Sequence, residues 1–240
     1  MNAMTAPATT RTTSSAQSRL SASTMIPRAV LPSPGRALVV APHPDDETFG
    51  AGGTIHDLGA VGFEVTVVVV TDGGASHLDV ADLSSMRRRE ATNACAELGL
   101  PQPPRFLDLP DGQVGNLRET LAASLRVLID GCALVIGPRA DDGHPDHEAT
   151  GEAVIEAIMG IAEDRRPVLW RYAIWAWEWG AITTDDLAGA HAWRVSAAGR
   201  NARSAAIRAY PSQATDLLGD VIVPASMIAD IQVADEVFWC

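Results

Sequence analysis

The sequence contains no lysine; all 18 of its basic residues are arginines. That excludes Schiff-base and pyridoxal chemistry, which need a lysine amine, and it removes the lysine of the phosphate-binding P-loop. Cysteine is scarce as well. Cys95, Cys132 and Cys240 are odd in number and unrelated in spacing, so no disulfide framework and no CxxC centre is encoded. The apolar surroundings of Cys95 and Cys132 predict buried, inert thiols, and a reducing cytoplasm is the expected location. No apolar run reaches the roughly 20 residues that a membrane helix needs. A formal net charge of -12 excludes nucleic acid as the main partner and favours a neutral or cationic small molecule.

What is present fits one domain with a two-sided core: 240 residues, too few for two independent units. Residues 1–30 are rich in Ser, Thr and Ala, carry three arginines and no acid, and are expected to form a disordered tail. A targeting signal is the alternative reading of that composition. Residues 31–240 then make the single domain. Within it, "RALVVA", "EVTVVVV", "PRFLDL" and "CALVIGP" read as strands. "GAGGTIHDLGAVG", "SSMRRREATNACAELGL" (serine-capped) and "NLRETLAASLRVLIDG" read as helices, and "RADDGHPDHEATGEAVIEAIMGIAED" as a loop that runs into one. "PVLWRYAIWAW" adds a strand and "SAAGRNARSAAIRAYPSQ" a helix. This alternation predicts an α/β, Rossmann-like fold, with a mostly parallel sheet and helices on both faces.

In such sheets ligands bind beyond the carboxyl ends of strands. Two loops at such ends, 42–48 and 138–147, hold His43, Asp45, Asp46 and Glu47, and His144, Asp146 and His147. Two imidazoles and a carboxylate with an open fourth position are a recurrent way to hold a catalytic Zn²⁺, and His43, Asp46 and His147 would make that set. Fe²⁺ suits the same donors. Successive side chains point in different directions, so Asp45 and Asp46 are expected to divide two tasks. Asp46 holds the ion, and Asp45 takes the proton of an attacking water. His144 can donate to a carbonyl oxygen that gains charge, and Asp146 can hydrogen-bond an imidazole and fix its orientation. His56, His77 and His191 lack such neighbours and read as structural or surface residues.

The pieces "APHPDDETFGAGGTI", "RRREATNACAELGL", "FLDLPDG", "GHPDHEATGEAV" and, more loosely, "AIRAYPSQ" resemble, in order, the LmbE/PIG-L family of zinc-dependent N-acetylglucosamine deacetylases. The resemblance runs from Arg36 to Gln213 and implies zinc on His43, Asp46 and His147, with Asp45 as base. It implies His144 as oxyanion stabiliser or acid, tuned by Asp146, and Arg87 and Asp111 as holders of sugar hydroxyls, although Arg88 or Arg89 could equally face the pocket. Some members carry a tyrosine two residues before the first HPDH histidine, where this chain has Asp142. The tryptophan-rich segment 170–193 has no counterpart in the pattern. Family relatives are often oligomers, so a homo-oligomer is an expectation too.

The function implied is hydrolytic removal of an acetyl or other acyl group from the amine of a glucosamine-containing sugar or glycoconjugate. A second reading within hydrolases is an amidase of a thiol conjugate or a tailoring deacylase of natural products. From another class comes a nucleotide-binding module built on Gly50, Gly52, Gly53 and Asp72, although Ile55 stands where the dinucleotide fingerprint wants its third glycine.

Overall fold

The computed structural model describes residues 27–76 and 80–240. Residues 1–26 of the expected tail, and His77, lie outside the described residues. Seven strands form one sheet in the order β3-β2-β1-β4-β5-β7-β6. The first five, β1 (Arg36–Ala41), β2 (Glu64–Thr71), β3 (Arg105–Leu109), β4 (Cys132–Pro138) and β5 (Val168–Tyr172), run parallel, as predicted. β6 (Ala190–Trp193) and β7 (Glu236–Trp239) are antiparallel additions that the alternation pattern did not reveal. The chain enters along β6: Ala29 N–H donates to Ala192 O at 2.9 Å and Ala192 N–H to Pro27 O at 2.8 Å. Among the described residues, Pro27 and Ala29 thus already pair with the sheet.

The strands alternate between two cores, because successive side chains leave a strand on opposite faces. In β1, Ala37, Val39 and Ala41 face helices α1 (Asp46–Ala60), α2 (Leu83–Glu97), α6 (Ala197–Arg208) and α8 (Ala225–Val233). Leu38 and Val40 face α3 (Arg118–Ile129) and α4 (Pro145–Met159). Both faces are covered, which is why β1, β2 and β4 read as continuous apolar runs. Two short helices, α5 (Trp175–Glu178) and α7 (Pro211–Ala214), lie near the carboxyl ends of the strands. Helix α2 starts at Leu83 behind Asp82 rather than behind a serine cap, and Ser84 Oγ donates to Asp72 Oδ2 at 2.9 Å.

Helix α1 is two helical pieces joined at Ala51, where φ is -149°. The N–H groups opening its second piece, Gly53 and Thr54, donate to the Glu236 carboxylate, each at 2.8 Å. Arg203 Nη1 neutralises that carboxylate at 2.8 Å. The glycines of this helix serve packing. A Cβ on Gly50 would lie 2.6 Å from the Tyr172 ring and one on Gly53 2.4 Å from Val195. Both sit inside a buried helix, so the glycine-based nucleotide reading has no phosphate cradle to rest on. Gly151 likewise lets α4 touch the end of β4, where a Cβ would meet the backbone of Pro138 and Ala140 at 2.8 Å.

Candidate active site

β1 and β4 are adjacent, and the connections leave them in opposite directions along the sheet, so the loops after them open a crevice between them. His43, Asp45 and Asp46 enter it from the first loop, and His144, Asp146 and His147 from the second. Imidazole rings of His43, His144 and His147 have centroids 4.9–5.3 Å apart. Asp46 Oδ2 lies 3.2 Å from His43 Nδ1 and 3.1 Å from His147 Nε2. For bonds of 2.0–2.1 Å the edge of a tetrahedral zinc site is about 3.4 Å, so each of these two separations is close to the length of one such edge.

The opposite nitrogens fix the tautomers. His147 Nδ1 lies 2.8 Å from Asp142 Oδ2, so in the neutral imidazole Nδ1 donates and Nε2 is a lone pair. That Nε2 is fully buried and faces Asp46 Oδ2 at 3.1 Å, and without a metal, against the opposing effect of burial, the two neighbouring carboxylates raise the imidazole to about 9. His43 Nε2 lies 3.2 Å from Asp146 Oδ2 and 3.3 Å from Asp111 Oδ1, so its proton sits there and Nδ1 faces Asp46. A buried lone pair beside a carboxylate oxygen, with no donor between, fits a cation held by His43, Asp46 and His147. His43, His144 and His147 also offer three ring nitrogens within 4.8 Å of one another.

Asp45 is buried in a backbone conformation that L side chains rarely adopt, with φ 129°. Strain of this kind is held only where the surroundings over-determine it. Here Glu47 Oε2 accepts the Asp45 N–H at 3.1 Å, while Glu47 Oε1 accepts from Thr48 and Tyr210, each at 2.6 Å. Gln213 Nε2 donates to Pro44 O at 2.6 Å, and Ser212 is held by Glu90. The "YPSQ" stretch thus clamps the first loop from 163 or more residues away. Sequence reasoning missed Glu47 and Tyr210 as supports because nothing local pairs them.

Burial and the neighbouring Asp46 charge raise the Asp45 carboxyl well above the usual range. Burial works to raise Asp46 too, but the adjoining His147 and His43 hold it well below. His144 is depressed to about 4 by burial and by the other two histidines, so it is neutral at pH 7. Its Nδ1 accepts the Asp146 N–H at 3.2 Å, which places its proton on Nε2. The Asp146 carboxylate makes no hydrogen bond to His144 and acts on it through its charge alone, which works to raise the imidazole. It holds His43 and accepts the N–H groups of Gly112 at 2.7 Å and Val114 at 3.2 Å.

Asp142, which the sequence marked only as a departure, is wholly buried. Besides His147 it accepts the N–H groups of Ile174 at 2.8 Å, Trp175 at 3.2 Å and Ala176 at 3.1 Å. One carboxylate thereby ties the second loop to the start of α5. The cluster floors a cleft of about 240 Å³ whose walls include Arg87, Asp111, Phe49, Trp175 and Met227. Arg87 is buried and its Nε and Nη2 have no partner. Arg88 instead pairs with Asp108 and lies 4.3 Å over Phe106, and Arg89 is exposed. Asp111 lines the cleft, but one oxygen is spent on Ala75 N–H at 2.9 Å and the other approaches His43.

The chain is similar to several known proteins. The chain is 30% identical over 149 residues to the probable N-acetyl-alpha-D-glucosaminyl L-malate deacetylase 2 of Bacillus cereus, covering 57% of this chain and 67% of that protein. It is 32% identical over 131 residues to the diacetylchitobiose deacetylase of Thermococcus kodakarensis, covering 51% and 49%. The matches thus span about half to two thirds of these relatives. A conserved protein of Thermus thermophilus superposes with a TM-score of 0.63 at 27% identity, covering 85% of this chain and 93% of that one. Both histidine loops fall within residues 38–158, half of the chain, which match the family described as PIG-L: GlcNAc-PI de-N-acetylase, and the chain belongs to that family.

Proposed function

We propose that this chain is a zinc-dependent N-deacetylase acting on a glucosamine-containing small molecule. The observation that carries it is the convergence of the buried His147 Nε2 and of His43 Nδ1 on one Asp46 oxygen, with the opposite nitrogen of each imidazole held by a carboxylate from behind. Zn²⁺ fits two imidazoles and a carboxylate, and Fe²⁺ is the alternative for the same donors. Bound there, the ion polarises an amide carbonyl and lowers the pKa of a water.

Asp45 lines the cleft beside the cluster and, with its affinity for a proton raised by burial, takes the proton of the attacking water. His144 presents Nε2–H to the carbonyl oxygen as it gains negative charge, and does so as a neutral donor. Asp146 and Asp142 act one step removed, by holding His43 and His147. The unpartnered Nε and Nη2 of Arg87 suit sugar hydroxyls; Asp111 serves the cleft chiefly by fixing His43 and the Ala75 turn. The curated relatives act on N-acetylglucosamine conjugates by name, which supports the same substrate class. No helix among the described residues is long and apolar enough to cross a membrane. The three cysteines are free, which suits work in a reducing cytoplasm.

The test is acetate release from N-acetylglucosamine conjugates by protein of measured metal content. We expect about one zinc or iron per chain and activity that Asp45→Ala abolishes without loss of metal. Full activity in folded Asp45→Ala would overturn the reading.

A further inference from the structure

The cleft lining is of two kinds. Arg87, whose Nε and Nη2 are unpartnered, and Asp111 contribute polar groups. Ile174, Trp175, Ile222, Val223 and Met227 contribute no charged side chain. Trp175 stacks beside His144, with centroids 6.3 Å apart and planes 26° apart. Trp179, one helical turn on, stacks on Trp175 at 5.4 Å and 27°. Trp175 lines the cleft and is half-buried, whereas Trp179, outside that lining, is 37% exposed. The rings therefore form a row that starts at the reacting groups and ends in solvent.

Trp179 is held in that row by the loop that carries His144. Gly143, with φ +90°, lies directly under it, and a Cβ there would sit 2.7 Å from the indole. Asp142 fixes the backbone of Ile174, Trp175 and Ala176. Two stacked indoles, one lining the cleft and the next held from beneath by the His144 loop, therefore present a fixed aromatic face. An aromatic face suits an uncharged ring that offers C–H groups or a π-face.

We propose that Trp175 and Trp179 form an aromatic shelf that binds the group attached to the glucosamine, an uncharged ring lying flat on the indoles. This rests on the deacetylase reading, since the acyl group must sit at the buried donors and only the glycosidic substituent can then lead outward along the row. An aryl aglycone and the C–H face of a second sugar share this chemistry.

The test measures binding of reaction products, so it does not depend on turnover. Metal-loaded protein is titrated calorimetrically with methyl glucosaminide, p-nitrophenyl glucosaminide and a glucosamine disaccharide. Wild type, Trp175→Ala, Trp175→Phe and Trp179→Ala are compared, with thermal melting as the control for folding. A stacked ring is expected to bind about 3- to 10-fold more tightly than the methyl glycoside. Either alanine substitution should remove that advantage and Trp175→Phe should keep most of it. A gain for the aryl glycoside alone identifies an aromatic aglycone, and a gain for the disaccharide alone a second sugar. Equal affinity for all three ligands, or a gain that survives both alanine substitutions, overturns the shelf. Binding of none of them overturns the glucosamine reading and the shelf with it.

Discussion

Replacing Asp142 with asparagine should cost metal affinity more than it costs the fold, and the geometry says why. The carboxylate receives four donors: His147 Nδ1 and Trp175 N–H on one oxygen, Ile174 and Ala176 N–H on the other. An amide keeps one oxygen and brings its own NH₂ against two of those donors. If the oxygen serves Ile174 and Ala176, the NH₂ faces His147, whose Nδ1 must then accept. The imidazole proton moves to Nε2, the atom that must be a lone pair to bind a cation. Loss of such a support behind a metal-binding histidine typically weakens affinity 10- to 100-fold, or about 1.4–2.7 kcal/mol. Asp142→Ala leaves three buried backbone N–H groups without a partner, each costing about 1–3 kcal/mol. Against a total stability of about 5–15 kcal/mol, that variant should melt far below wild type. The assay is competition of apoprotein with a chelating dye for Zn²⁺, beside urea unfolding of the same apoprotein. Unchanged Zn²⁺ affinity in folded Asp142→Asn would refute the tautomer argument.

Four further outcomes follow from particular contacts. Asp45→Asn should retain metal while acetate release falls about 10²- to 10⁴-fold, measured on metal-loaded protein. Tyr210→Phe strips a 2.6 Å donor from buried Glu47 and should lower stability by about 1–3 kcal/mol in urea titration. Gly151→Ala drives a Cβ against the backbone of Pro138 and Ala140 and should cost about 1–3 kcal/mol, whereas Gly59→Ala, with nothing within 4 Å, should gain about 0.5–1 kcal/mol. Chelation should lower the melting temperature, because metal at 100 times its dissociation constant contributes about 2.7 kcal/mol; an unchanged melt would mean that metal does not bind the native state.

The parallel half of the sheet and the residues of the cluster were legible because both follow from local chemistry. Val67–Val70 can only be a strand buried on two faces, and a loop that packs His43, Asp45 and Asp46 after such a strand has little other use. What escaped was set by contacts remote in sequence. The Asp146 carboxylate turns to His43 because the N–H groups of Gly112 and Val114 draw it there, and no spacing within "HPDH" reveals that. Asp142 reads in sequence as a missing tyrosine, whereas its partners lie over 30 residues onward in a helix of one turn. β6 and β7 were overlooked because antiparallel strands of four residues are too short to carry much periodic signal.

Glu236 gives the order of assembly a chemical meaning. The helix that begins with Asp46 cannot complete its second piece until a carboxylate encoded 183 residues later arrives beneath Gly53. Closing so long a loop is slow, and during synthesis the histidine loops emerge well before that support exists. A nascent chain therefore displays metal donors that are chemically competent but geometrically unset. On the deacetylase reading, selective loading of one ion belongs to the finished sheet, not to the motif that announces it.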